Sequence, residues 1–363
     1  MVKQTFLSAV LVVISITLSS CGGGSAMFRG DANHSGQMAG SGPTSLDALA
    51  WKYVLPNKVY SSPVADGKLV YIGCNDGYVY GVDKKSGTMQ WKFRTQVNVE
   101  STPAIDGGVI YIGSWDKNLY AVDVNTRAVR WKYATKGPVS SSPVVYGDTV
   151  YVGSEDGNLY AIDKTSGQEK WKFKAGGSIY SSPAVNGEYV FFGTLKGEMF
   201  AVSINSGQEY WRFNTRHKIH SSPAVDSNNV YFGGDDKRVY AINIKTGQKV
   251  WDKKTSGQVL SSPALTGDSV IVGSKDGYVY AYNKGTGFRE WEFRTEGPVF
   301  APPVIASGAV YIGSTDHNLY VLDDSSGELL WKYRTANQIF SSATVSDGMV
   351  FFVSVDGALY AVK

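Results

Sequence analysis

Tryptophan stands at positions 51, 91, 131, 171, 211, 251, 291 and 331, eight times at a spacing of 40 residues without an insertion. Tyrosine keeps a phase of its own at 80, 120, 160, 240, 280, 320 and 360, with Phe200 filling the gap. Proline does the same at 63, 103, 143, 183, 223, 263 and 303, with Ala343 ending the set. Self-similarity this strict describes a small unit that cannot bury its apolar face alone and must stack on its own copies. Turn chemistry divides the unit: Asp66-Gly67, Asp76-Gly77 and Ser86-Gly87 place glycine where a tight turn asks for positive φ. Between those turns, the apolar runs predict strands at Tyr60–Ala65, Leu69–Gly73, Tyr78–Asp83 and around Trp91.

The stretch Leu69 to Ile72 does not alternate polar with apolar, so both faces of its sheet must be covered. This excludes helical repeats, and a β-helix needs far shorter rungs. Eight Ser-Ser-Pro-like starts, at 61, 101, 141, 181, 221, 261, 301 and 341, count eight sheets. The expected fold is all-β, an eight-bladed β-propeller of four-stranded antiparallel blades. Tyr360 to Lys363 falls in the third strand of the eighth blade, so the fourth is expected from Leu49-Ala50-Trp51. That pairing closes the ring around Trp51 and removes the open edges. Trp51, Trp91, Trp131, Trp171, Trp211, Trp251, Trp291 and Trp331 then become interblade contacts. Each buries roughly 150–250 Å², worth about 5 kcal/mol at most.

The N-terminus reads differently. Lys3 precedes the apolar stretch Phe6 to Leu18, which has the length and small-residue ending of a secretory signal. Leu18-Ser19-Ser20-Cys21 resembles the lipobox of bacterial lipoproteins, and Gly22-Gly23-Gly24-Ser25 follows as a flexible tether. The expected organisation is a lipoprotein signal peptide over residues 1–20, a lipidated Cys21 with tether and leader over 21–48, and the propeller over 49–363. An acylated Cys21 places the body at a membrane surface in the cell envelope, either facing the periplasm from the outer membrane or at the cell surface. Cys74 is the only other cysteine, so it is expected as a small buried thiol. The 35 basic and 32 acidic residues are scattered without a run, which leaves no footprint for nucleic acid. A monomeric ring is expected.

The run Ala161-x-Asp163-x-x-x-Gly167-x-x-x-Trp171 recurs in register around the ring. It resembles the tryptophan-docking motif of PQQ-like propeller repeats, found in quinoprotein alcohol dehydrogenases and in outer-membrane assembly lipoproteins of the BamB type. Departures occur at Ser203, Asn243 and Asn283 for the Asp, at Arg127 for the Gly and at Val321 for the Ala. Met27-Phe28-Arg29-Gly30-Asp31, with His34 and Gly36, resembles the leader of such repeats, which accounts for its RGD triplet. For quinoprotein enzymes the resemblance implies a quinone, a calcium ion held by Glu, Asn and Asp, and adjacent cysteines. No adjacent cysteines occur, and only Glu100 and Glu155 approach the acidic ligands required. His217 and His220 lie three apart on an extended segment and point to opposite faces. No catalytic set, cofactor or metal is expected.

Function is expected where the repeats disagree. The turn between the second and third strands carries Asn75, Trp115, Glu155, Leu195, Asp235, Lys275, Thr315 and Val355. The approach to the first strand carries Tyr60, Glu100, Ser140, Tyr180, His220, Leu260, Phe300 and Phe340. In an up-and-down sheet both sets fall on one face of the disc. The candidate binding face is thus Tyr60, Glu100, Trp115, Glu155, Tyr180, Leu195, His220, Asp235, Lys275, Phe300 and Phe340. Trp115 either offers binding energy to a partner or folds back over its blade. Phe300 and Phe340 either close the channel or touch a ligand. The leading expectation is a non-catalytic membrane-anchored scaffold for an envelope protein partner, most simply the outer-membrane barrel-assembly machinery. A glycan or small-ligand binding lipoprotein is the alternative, and a quinoprotein oxidoreductase comes third.

Overall fold

In the computed structural model, residues 26–363 are described; the signal segment, Cys21 and the tether lie outside the described residues. Eight four-stranded antiparallel sheets form the ring. Blade 1 holds Val64–Asp66, Leu69–Gly73, Tyr78–Asp83 and Met89–Arg94. Blades 2 to 7 repeat it. Blade 8 takes Thr344–Ser346, Met349–Ser354 and Ala358–Val362 and borrows Leu49–Val54 as its fourth strand, with Trp51 opposite Ala361. The innermost strand is shorter than expected from the sequence. Tyr60 to Pro63 stays outside the ladder, because Pro63 has no N–H and the serines before it bond to other partners.

Three belts of hydrogen bonds hold the ring, the first and third between blades and the second within each blade, and each explains a repeated letter. In the first, the indole N–H groups of Trp51, Trp91, Trp131, Trp171, Trp211, Trp251 and Trp291 donate to a main-chain carbonyl of the next blade, as Trp131 Nε1 does to Lys164 at 2.9 Å. Its ring lies over a glycine at positive φ: a Cβ at Gly167 would come within 2.6 Å of Trp131. At position 127 the arginine keeps that conformation, with φ of 62°. The preceding Asp caps the same turn, since the Asp83 carboxylate accepts from the Lys85 and Ser86 N–H groups. Asn243 and Asn283 do so equally well with an amide oxygen, which is why that substitution is tolerated.

In the second belt the hairpin Asp accepts from the Tyr four residues later, as Tyr120 does to Asp116 at 2.7 Å. Phe200 lacks the hydroxyl, and the Asp position of its hairpin is held by Lys196. The two departures are one.

The third belt is a circle of hydroxyls. Main-chain N–H groups of Ser62, Thr102, Ser142, Ser182 and Ser222 each donate to the hydroxyl 40 residues on, and Ser342 donates to Ser62, at 2.8–3.0 Å. Pro302 interrupts the circle, having neither hydroxyl nor N–H. The Ser342 hydroxyl, which would accept from residue 302, is accordingly buried without a partner.

Residues 26–48 run beneath the ring. The N–H groups of Val185, Val225, Leu265 and Ile305, on the innermost strands of blades 4 to 7, donate to the carbonyls of Ala32, Asn33, Ser35 and Gly36. The leader therefore satisfies strand edges that would otherwise face the channel unpaired. Its Pro43 carbonyl accepts from Trp331 Nε1 at 3.1 Å, standing in for the loop that the junction in blade 8 lacks. Arg29 and His34 are buried beneath the ring, so the RGD arginine is a structural residue. Cys74 is fully buried, and burial pushes its thiol up to about 12.

Candidate functional site

The innermost strands leave a central opening on the face carrying the second-to-third turns. It is a cup of about 750 Å³. Phe28 of the leader contributes to its lining from the opposite side, and the hydroxyl circle forms part of the wall. Tyr60, Glu100, Trp115, Glu155, Tyr180, Leu195, His220, Phe300 and Phe340 all line it. Asp235 sits one bond away, its carboxylate 3.0 Å from His220 Nδ1. Lys275 is not brought in; it lines a separate groove with Arg216 and His217. His217 and His220 thus serve different pockets.

Sequence reasoning missed Phe28, which lies outside the repeats and so outside their phase. It also read the Ser-Ser-Pro starts only as a count of blades, although the second hydroxyl of each recurs at the phase that lines the axis.

The aromatic side chains form a partial collar. Tyr60 and Phe340 have ring centroids 6.1 Å apart, Phe340 and Phe300 5.5 Å, and Tyr180 and His220 6.0 Å. Trp115 remains 39% exposed in this collar, rather than lying covered over its own blade. The acidic side chains have weak company. Glu100 accepts from Asn75 Nδ2 at 3.3 Å, and Glu155 from the Ser140 hydroxyl at 2.6 Å. Burial raises the Glu100 carboxyl above its usual range and the charge of Glu155 adds to this, against hydrogen bonds from Asn75 and Tyr180. Burial together with both carboxylates pushes Tyr180 up to about 12.

An acid with a raised folded-state pKa contributes stability below its unfolded pKa and loses it as pH rises through the folded value. Ionised Glu100 is therefore a cost at neutral pH. Glu100→Gln is expected to raise the melting temperature at pH 7, with the gain shrinking below pH 4. Scanning fluorimetry at both values checks this, and an equal gain at pH 4 would remove ionisation as the cause.

With the geometry defined, comparison with known proteins gives a consistent picture. Residues 44–99 match the family described as outer membrane protein assembly factor BamB, and residues 184–363 match the β-propeller of the β-alanine-activating enzyme. BamB from Moraxella catarrhalis superposes with a TM-score of 0.72 at 20% identity, over 87% of this chain and 99% of that one. The computationally designed Ika8 protein gives 0.80 at 18% identity, over 87% and 99%. Quinohemoprotein alcohol dehydrogenase from Comamonas testosteroni gives 0.78 at 13% identity, over 93% and 80%. No curated protein matches the sequence. At these identities the solved structures share a fold. The chain is an eight-bladed β-propeller whose repeats resemble the PQQ-like kind. Among such propellers it resembles BamB.

The quinoprotein relatives raise the question of a quinone with calcium. The cup does not fit them. Pyrroloquinoline quinone is a polycarboxylate, whereas no Lys or Arg lines this cup and two carboxylates do. Among the described residues no three His, Cys, Asp or Glu side chains converge as a metal site.

Proposed function

We propose that the protein is a non-catalytic propeller scaffold of the cell envelope, tethered by a lipid on Cys21 and binding a protein partner through the face that carries Trp115. The observation that carries this reading is the division of the disc. The repeated residues are consumed by the three belts, while the variable ones gather around one mouth with an exposed indole among them. Exposed aromatic anchors beside a polar rim supply binding energy at protein interfaces. The resemblance to BamB supports outer-membrane barrel assembly as the setting, with the barrel-insertion subunit or nascent barrel strands as the partner.

The test is a crosslinking capture from native envelope, comparing the lipidated protein with Trp115→Glu. A barrel-assembly component captured by the first and lost by the second supports the reading. Capture of that component by both forms moves the interface off this face. Absence of any protein partner removes the scaffold role.

A further inference from the structure

The cup has two unlike halves. Blades 2 to 4 supply Glu100, Trp115, Glu155 and Tyr180, whereas blades 6, 7, 8 and 1 supply Leu260, Phe300, Phe340 and Tyr60. The second half is dominated by aromatic surface, since Phe340 touches both Phe300 and Tyr60, with the hydroxyls of Ser62, Ser262 and Ser341 also in its lining. The first half has acceptors in excess. Neither Glu100 nor Glu155 takes part in a salt bridge among the described residues, and neutral groups are their only hydrogen-bond donors. Asn75 Oδ1, beside Glu100, is buried with no donor at all. Arg29, the buried cation of the leader, does not line the cup.

Two carboxylates held in partial burial without a counter-charge lack what they would need to be stable, a cation carrying several N–H donors. The rings of Trp115 and Tyr180 share that side, and an aromatic face attracts the same ligand through its quadrupole. The opposite wall carries no charged side chain and its large side chains favour an apolar body. We propose that the cup is a receptor for an amphipathic organic amine, with its ammonium between Glu100 and Glu155 and its apolar body against Leu260, Phe300 and Phe340. This concerns a small molecule in the cup and stands whether or not a protein occupies the rim.

The size fits. A cavity of about 750 Å³ lies within the range of small-molecule sites and exceeds what a bare ammonium ion would fill.

Calorimetric titration of the full-length protein in lipid nanodiscs tests the assignment with four probes at neutral pH. Phenethylamine carries both charge and body, 2-phenylethanol the body alone, methylamine the charge alone, and 3-phenylpropanoate the body with the opposite charge. Phenethylamine is expected to bind about tenfold or more tightly than the alcohol and than methylamine, with the propanoate weakest. Glu100→Gln and Glu155→Gln are each expected to weaken the amine by about tenfold and leave the alcohol unchanged. Melting curves of both variants confirm that the ring is intact.

Equal binding of amine and alcohol, preference for the propanoate, or no binding of any probe at millimolar concentration overturns the proposal. So does full retention of amine affinity in both variants. Amine binding without a captured envelope partner would sink the scaffold reading while leaving this one standing, and the reverse result would do the opposite.

Discussion

Trp131→Ala lowers the unfolding free energy by about 3–5 kcal/mol, the cost of truncating a large aromatic in a packed interior. Trp131 is 8% exposed, pairs with Ala121 across its own sheet and packs against Tyr111 at 5.7 Å. Its indole donates to Lys164 of the next blade and covers Gly167, so truncation opens a void at a blade junction and takes from the Lys164 carbonyl the shorter of its two hydrogen bonds, leaving only the Tyr111 hydroxyl at 3.3 Å. Relaxation is restricted, because blade 2 is held in place by neighbours on both sides and cannot close the gap on one without opening it on the other. Urea denaturation followed by circular dichroism measures the loss. Trp115→Glu is the control: its indole makes no interblade hydrogen bond, and the change is expected to stay within about 0.5 kcal/mol. Similar losses in both variants would erase the distinction between the structural belt and the candidate face.

Acidification from pH 6.5 to pH 5 is expected to remove about 2 kcal/mol of stability, and His34 is the cause. The imidazole is fully buried under the ring. Burial and the charge of Arg29 hold its pKa down at about 3, against a smaller lift from the Pro223 carbonyl, whose geometry is too poor for a hydrogen bond. Arg29 is itself lowered to about 9 by burial, with Asp31 opposing. Since the unfolded imidazole titrates near 6.5, the unfolded chain binds more protons below that value, and stability declines as pH falls toward 3.

The comparison with a His34 variant isolates the effect, because Glu100, Asp66 and Asp324, raised by burial, gain stability as pH falls and act in the opposite direction. The turn carboxylates Asp83, Asp163 and Asp323 are held below their usual range by hydrogen bonds and titrate only at lower pH. His34→Gln should flatten the dependence between pH 6.5 and 5. Amide exchange at Val185, Val225 and Leu265, whose N–H groups the leader covers, should rise first as acid loosens that segment. An unchanged slope in the variant would place the acid sensitivity elsewhere.

Much of this architecture is legible along the chain, and the reasons are local. A docking Trp needs a residue at positive φ, usually glycine, a polar capping residue and a small residue opposite, all within one or two repeats, so the pattern prints itself in seven repeats while Trp331 docks on the leader. Strand closure through Trp51 follows by the same logic, since blade 8 is short of the one strand that precedes blade 1. The innermost strand was over-extended from sequence because Ser-Ser-Pro reads as apolar-flanked β structure, whereas its hydroxyls are engaged in a circle that only the assembled ring can form. Lys196 and Phe200 look like two unrelated exceptions in the linear pattern, and only their place in a Tyr-to-Asp contact joins them.

The sequence by itself determined the number of blades, their order, the closing strand and which positions are free of structural duty, because those requirements repeat at a fixed period. Tertiary structure alone decided what the free positions make together. Glu100, Glu155, Tyr180 and Phe340 come from four different blades and meet only because the ring brings equivalent positions to one axis. It likewise decided that Phe28 lines the cup and that Lys275 stands apart with Gln258, since neither a leader outside the period nor a side-chain contact of one hairpin is recorded in the repeat.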